Sequence, residues 1–329
     1  MATIEDVANL AGLSRATVSR VINHHPYVTE EKKKLVQEAM EKLGYVPNSI
    51  ARQLRKQMIE TVAVLIPRIS NPFFSKMVEK MESVAAEKGF QLIVCQTQTD
   101  KQRELVYLDW LKTKQIGGVI MASSENSWET IRDYTKFGPI VFCNEYPPNT
   151  RAPIVCLDQF KGGYIGTRHL IEKGHRFIAY CNGSNHTTNI QDRKRGFDQA
   201  LKEAGLSFDE RMWFAGVFDI RDGRHVFREM LKLHPRPTAI FTGSDEVAAG
   251  IISEAGKYGF RVPDDLAVVG FDDQPLASIM TPGITTLHQP AEEIGKEAMA
   301  IIIEIMENRE KIGNRVIELP LHLVERSST

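Results

Sequence analysis

A chain of 329 residues, 42% apolar and 25% charged, is long enough for two or three domains with cores of their own and has the balance of a soluble globular protein. No apolar run approaches a membrane span and Met1 to Arg20 has no signal-peptide core, so the expected location is the cytoplasm, with no membrane partner. The net charge of −1 conceals a segregation: residues 1–57 carry nine Lys and Arg against six Asp and Glu, whereas the remainder carries 32 against 36, the footprint of a nucleic-acid module joined to a different body.

The first elements read as short helices. Thr3 is placed to cap one and Asp6 stands at its capping-box position, with Ile4, Val7, Ala8 and Ala11 recurring at helical spacing. Gly12 suits a sharp turn that needs a positive φ, and Ser14 can cap the next helix. On that second helix Val18, Val21 and Ile22 share one side, while Arg15, Ala16, Ser19, Arg20 and Asn23 share the opposite arc. A third helix is predicted from Thr29 to a stop at Gly44, with Glu30 and Glu31 at its positive end. Helix, tight turn, helix is the shape that sets a second helix into the major groove of DNA; a plain three-helix bundle without DNA fits the pattern too. After Pro47, Asn48 can cap a further helix with Ile50, Ala51 and Leu54 along one side, too short to persist alone in water.

Thr3-Ile4-Glu5-Asp6-Val7-Ala8, Gly12-Leu13-Ser14, Thr17-Val18-Ser19-Arg20-Val21-Ile22-Asn23 and Tyr45-Val46-Pro47-Asn48 with Ala51 and Leu54 resemble the headpiece of the lactose-repressor (LacI/GalR) family. The resemblance implies an all-α helix-turn-helix headpiece over 1–46, a hinge helix or linker over 47–58, and an effector-binding and dimerisation core over 59–329. It also implies a homodimer on double-stranded, pseudo-palindromic operator DNA, touched by Thr3, Ser14, Arg15, Ala16, Thr17, Ser19, Arg20 and Asn23. Asn48, Ala51 and Leu54 would act from paired hinges, with Leu54 wedging a central base step open. The run Asn23-His24-His25-Pro26-Tyr27-Val28 looks closest to catabolite-control-type regulators, some of which answer to a phosphorylated carrier protein, and that partner is a second reading.

From Thr61 the period changes. Residues 61–67 form a continuous apolar run of the kind that doubly covered parallel strands have, and similar runs recur at 90–94, 119–121, 140–142, 154–157, 177–181, 239–242 and 266–269. Helical stretches ending in Gly89, Gly174, Gly205 and Gly259 separate many of them, so the core is expected to be α/β, with parallel sheets and helices on both faces. The family's two-lobed core, similar to periplasmic sugar-binding proteins, implies one lobe of about 59–157 plus 285–312 and another of about 158–284 plus 313–329.

Ligands of open α/β sheets bind beyond the carboxyl ends of the strands. Ser70, Phe73 and Phe74 follow the first run, Asn144 follows the run at 140–142, and Asp272 the run at 266–269. A sugar or sugar phosphate needs polar groups for adjacent hydroxyls and an aromatic face for its C–H side. Arg193, Asn144 and Asp272 can supply the first, Phe73, Phe74 and Phe218 the second, and the resemblance adds Ser244. Asn144 stands where some sugar-binding members have an acid, and Ser244 where some have Asn.

No nucleophile elbow, phosphate loop or zinc-protease motif occurs, so no catalysis, cofactor or metal is expected. Cys95, Cys143, Cys156 and Cys181 lie far apart and read as buried, reduced thiols. The glycines of 162–166 lack dinucleotide-binding spacing and read as helix packing, and His169 and His175 read as solvated or capping. The chain closes at Glu325-Arg326-Ser327-Ser328-Thr329 without leucine heptads, which points to a dimer. The expected function is a ligand-controlled transcriptional repressor; the competing class is a cytoplasmic sugar-binding protein whose N-terminal bundle only oligomerises.

Overall fold

Helix α1 (Ile4–Ala11) starts from a reciprocal cap: the Asp6 N–H donates to the Thr3 hydroxyl at 3.3 Å, and the Thr3 N–H donates to the Asp6 carboxylate at 2.8 Å. It ends at Gly12, whose φ of 66° is a left-handed backbone that a side chain would strain. Helix α2 (Arg15–Ile22) follows at once, its Thr17 N–H capped by the Ser14 hydroxyl at 3.2 Å. Helix α3 (Glu30–Leu43) begins after Thr29, which makes no side-chain cap bond. Val7, Ala8, Val18, Val36 and Ala39 form the buried centre, ringed by Ile4, Leu13, Val21, Ile22, Leu43 and Tyr45. Two helices of eight residues are too short to hold themselves, and α3 closes their core.

These helices belong to one compact unit, Met1–Met58, and Ile59–Thr329 forms another; the computed structural model describes residues 2–22, 25–45, 58–183, 187–308 and 313–329. Asn23, Asn48, Ala51 and Leu54, and with them the expected hinge, lie outside the described residues.

In the second unit strands and helices alternate. The first run is β1 (Thr61–Ile66), α4 (Pro72–Glu87), β2 (Gln91–Gln96), α5 (Lys101–Lys112), β3 (Gly118–Met121), α6 (Trp128–Ile131), β4 (Ile140–Cys143) and β5 (Ile154–Leu157). The second is α7 (Gln159–Glu172), β6 (Ile178–Cys181), α8 (Thr188–Glu203), β7 (Trp213–Phe214), α9 (Ile220–Met230), β8 (Ala239–Phe241), α10 (Asp245–Lys257), β9 (Ala267–Asp272), α11 (Pro275–Ile279) and β10 (Thr285–His288). Helix α12 (Ala291–Asn308) and strands β11 (Val316–Leu319) and β12 (His322–Val324) follow.

The strands form two six-stranded sheets, ordered β11-β5-β4-β3-β1-β2 and β12-β10-β9-β8-β6-β7. Every pairing in the first is parallel, and in the second only β12 runs antiparallel. Apart from the late strands β11 and β12, the two lobes share one winding, with the second strand of each outside the first and the third to fifth on the other side. Strand β1 is buried along its whole length, as a strand covered on both faces must be.

Two late segments lie on the opposite lobe from the one expected. Residues 285–288 do not return to the first lobe: β10 pairs in parallel with β9, Thr285 opposite Val269, and only α12 crosses over to pack on α4. Conversely, Val316–Leu319 is the edge of the first sheet, Val316 opposite Ile154. The chain then crosses again at Pro320, which has no N–H to extend the pairing, before β12 joins β10. The lobes are therefore joined at three places, near 158, 289 and 320.

Helices α7 and α8 touch backbone to backbone. A Cβ at Gly163 would strike the Arg193 carbonyl, and one at Gly196 would strike that of Phe160. This contact sets α8, and with it Arg193, against α7.

Candidate functional site

On α2, Arg15, Ala16 and Arg20 are exposed, while Val18 on the other face is fully buried. Thr17 and Ser19 are half-buried at the flanks. Thr3 and Ser14 are exposed, yet each hydroxyl already serves a helix cap, Ser14 Oγ also lying 2.9 Å from Thr17 Oγ1. The outer face of α2 thus offers two guanidinium groups around a methyl-sized side chain, and its first turn adds the positive end of the helix dipole. Such a surface can meet phosphates and base edges together.

In the second unit a cleft of about 610 Å³ opens between the lobes, within the range of small-molecule sites. Ser70, Phe73, Phe74, Asn144, Arg193, Phe218, Ser244 and Asp272 all line it. Asn144 and Asp272 stand at strand ends with φ of 61° and 100°, backbones that Asn and Asp tolerate better than most residues. Phe73 and Phe74 are buried edge to face, 5.2 Å apart, whereas Phe218 is exposed and carries the Arg68 guanidinium 4.9 Å from its ring centre. Ser244 reaches the cleft as the cap of α10, its hydroxyl accepting the Val247 N–H at 3.4 Å. Its neighbour Asp245 is wholly buried and does not line the cleft.

A continuous hydrogen-bonded line runs through the site. Arg193 Nε donates to Gln159 Oε1 at 2.6 Å, Gln159 Nε2 to Gln289 Oε1 at 3.1 Å, and Gln289 Nε2 to Asp272 Oδ1 at 2.5 Å. Arg193 Nη1 also donates to the Gly243 carbonyl at 3.3 Å, and the guanidinium stacks 3.5 Å above the centre of the Phe271 ring. Gln159 and Gln289 sit beside two of the three crossings between lobes, so this line links those crossings on the second-lobe side.

Burial governs the titration of the site. It lifts the Asp272 carboxyl to about 6 against the pull of the Arg193 charge, and lifts Glu145 to about 7, with Arg193 opposing and Glu125 adding. Asp245 is pushed well above the carboxylate range by burial and then by the charge of Asp272. The same burial lowers Arg193, with Asp272 resisting first.

Residues 3–48 match the bacterial regulatory proteins of the lacI family, and residues 167–329 match a periplasmic binding protein-like domain. The chain is 41% identical to the NTD biosynthesis operon regulator NtdR of Bacillus subtilis, with all of both chains aligned. It is 35% identical to the ribose operon repressor of Escherichia coli, again across 100% of each. The chain belongs to the lacI family. Among solved structures this family member is similar to a CelR–cellobiose complex, at 29% identity and a TM-score of 0.75 with both chains fully covered. The lac repressor dimer bound to operator and the anti-inducer ONPF shares its fold at a TM-score of 0.85 and 23% identity, over 99% of this chain and 98% of that one. The protein is thus a DNA-binding transcriptional regulator with a ligand-binding domain.

Several cleft residues of this lacI-family chain escape the sequence reading: Arg68, Ser123, Glu125, Glu145, Asn182 and Gln289. Each follows a strand end by one to four positions: Ser123, Glu125, Asn182 and Gln289 follow strands to which the rule was not applied, whereas Arg68 and Glu145 follow strands already read. His169 is not solvated; it is buried with Nε2 2.8 Å from Thr329 Oγ1, and His175 Nδ1 lies 3.0 Å from Thr238 Oγ1. All four cysteines are free and buried. Among the described residues no helix is long and apolar enough to cross a membrane.

Proposed function

We propose that this regulator acts in the cytoplasm as a homodimeric repressor on a pseudo-palindromic operator, and that a sugar-like ligand in the cleft sets its affinity for that DNA. The observation that carries the DNA half is the division of α2: Val18 anchors the helix while Arg15, Ala16 and Arg20 are left outside. Arg15 reads a base edge, for which a bidentate guanidinium is suited, and Arg20 shares base and phosphate contact. One headpiece buries little DNA surface, so two half-sites and two subunits are required for useful affinity. The segment with Asn48, Ala51 and Leu54 keeps its hinge assignment from the resemblance alone.

The ligand half is supported by the line from Arg193 to Asp272, which links two of the lobe crossings at the floor of the second lobe. A ligand shifts the lobes only as far as it prefers one arrangement of them, and a molecule held by Arg193 and Asp272 pulls on both crossings. Control is assigned to this cleft rather than to a docked carrier protein because the cleft is where the polar groups converge.

The test is selection of bound duplexes from a random pool, followed by titration of the selected site with full-length protein at several salt concentrations. Binding is expected to fall steeply with salt. Arg15→Ala is expected to weaken the selected duplex by about 1–3 kcal/mol more than random DNA. Equal weakening of both would assign Arg15 to phosphate contact.

A further inference from the structure

The charge of the cleft is lopsided. Glu125 and Glu145 line its first-lobe wall, and Asp219, Glu246 and Asp272 its second-lobe wall, against two guanidinium groups, those of Arg68 and Arg193. Both cations are already engaged: Arg193 by Gln159, the Gly243 carbonyl and the Phe271 ring, Arg68 by the face of Phe218. Of the helix starts at the cleft, those of α4 and α10 are capped, whereas Thr187 before α8 makes no side-chain cap bond. Asn71 Oδ1 already accepts the Phe73 N–H at 2.9 Å, and Ser244 Oγ the Val247 N–H. A phosphate entering here meets an excess of negative charge.

A second observation is independent of charge. Ser123 Oγ is buried, its residue only 2% exposed, and has no hydrogen-bond partner among the described residues, yet Ser123 lines this cleft. A buried hydroxyl without a partner calls for one from whatever fills the space. It stands two residues before Glu125, on the wall that also carries Glu145. Glu145 itself is held by the Thr187 hydroxyl at 3.4 Å and makes no ion pair within 4 Å among the described residues.

We infer that the cleft takes a polyhydroxylated ligand bearing a protonated amine, an amino sugar in chemical class, with its ammonium on the wall of Ser123, Glu125 and Glu145, and that it discriminates against phosphorylated sugars. This rests on the reading of the cleft as the effector site and narrows it. An ammonium has three donors and no acceptor, which suits two carboxylates and a hydroxyl oxygen. It also relieves the repulsion that Glu125 exerts on Glu145. Arg193 and Asp272 remain for the hydroxyls, and Phe73 for the apolar face of the ring.

The probes are cellobiose, its diamino counterpart β-1,4-linked diglucosamine, and glucose 6-phosphate, titrated calorimetrically at pH 7 into the full-length protein and into Glu145→Gln and Glu145→Asp. Diglucosamine is expected to bind at least about tenfold tighter than cellobiose, a difference one well-placed charge pair can supply, and glucose 6-phosphate is expected to give no heat. Glu145→Gln is expected to remove most of that preference, and Glu145→Asp is expected to retain it. Equal affinity for the two disaccharides, tighter binding of the phosphate, or a preference untouched by Glu145→Gln overturns the amine assignment and leaves the effector reading standing. Absence of heat with every probe, in protein that still binds operator, overturns both.

Discussion

Every buried residue of the headpiece core, from Val7 to Ala39, comes from one stretch of chain, whereas the cleft gathers side chains from Pro67 to Gln289. Their acids differ in the same sense. The Asp6 carboxyl is held below its usual range by hydrogen bonds from Thr3, so it supports the helix it begins. Burial lifts Glu145 and Asp272 above theirs, so each charge opposes the fold that contains it. Acids retained against stability mark the part of the molecule shaped for something other than standing up.

The hardest break in this contrast is Val18→Asp. It puts a carboxylate among Val7, Ala8, Val36 and Ala39 with no partner, a cost of several kcal/mol against a core of five buried side chains. Operator binding, followed by fluorescence anisotropy, is expected to fall by more than about 100-fold, equivalent to a little under 3 kcal/mol. Ligand binding calorimetry is expected to be unchanged, because the second unit has cores of its own. Loss of ligand binding as well would mean that the two units do not fold separately.

Gly163→Ala makes the reciprocal break. The added methyl meets the Arg193 carbonyl, which is backbone and yields little, so α7 and α8 must part. The expected cost is about 1–3 kcal/mol, read as a lower melting temperature of the second unit, together with weaker ligand binding through displaced Arg193. An unchanged melting temperature would show that the helix crossing is looser than its geometry.

The smallest effect is the most informative about the acids. An unfolded Glu titrates near about 4.3, and folded Glu145 at about 7, so between those values the folded chain holds more protons and loses stability as pH rises. Glu145→Gln is therefore expected to match the parent at pH 4, gain on it through the window, and exceed it fully by pH 8. Asp6 has the opposite sign: its support is present above about pH 3.9 and disappears as pH falls through its depressed value. Thermal melts from about pH 2 to about pH 8 check both, and a gain for Glu145→Gln that is the same at every pH would assign it to packing instead.

Much of the headpiece was legible because its signals are local. Gly12, Ser14 and the apolar spacing of Val18, Val21 and Ile22 act on neighbours within a few residues, and the structure places them as those spacings require. The strands were legible for a different reason, since doubly buried runs such as 61–66 leave few alternatives. What could not be read was which sheet receives Thr285–His288 and Val316–Leu319. Those strands are chosen by partners more than a dozen residues away, Val269 for one and Ile154 for the other, and either sheet would accept their composition. The acid wall was missed because Glu125 and Glu145 look like ordinary surface residues until the pairing of β3 with β4 sets the loops after them, and Ser123, side by side.

The late arrival of α12 and β11 in the first lobe bears on biosynthesis. At roughly 5–20 residues per second, the three-helix unit leaves the ribosome on the order of tens of seconds before Val316 does. Throughout that interval the first lobe lacks an edge strand and the helix that covers α4, and no cleft can be complete. The nascent polypeptide completes its three-helix unit first and its ligand cleft last, an order written into the threading of the chain.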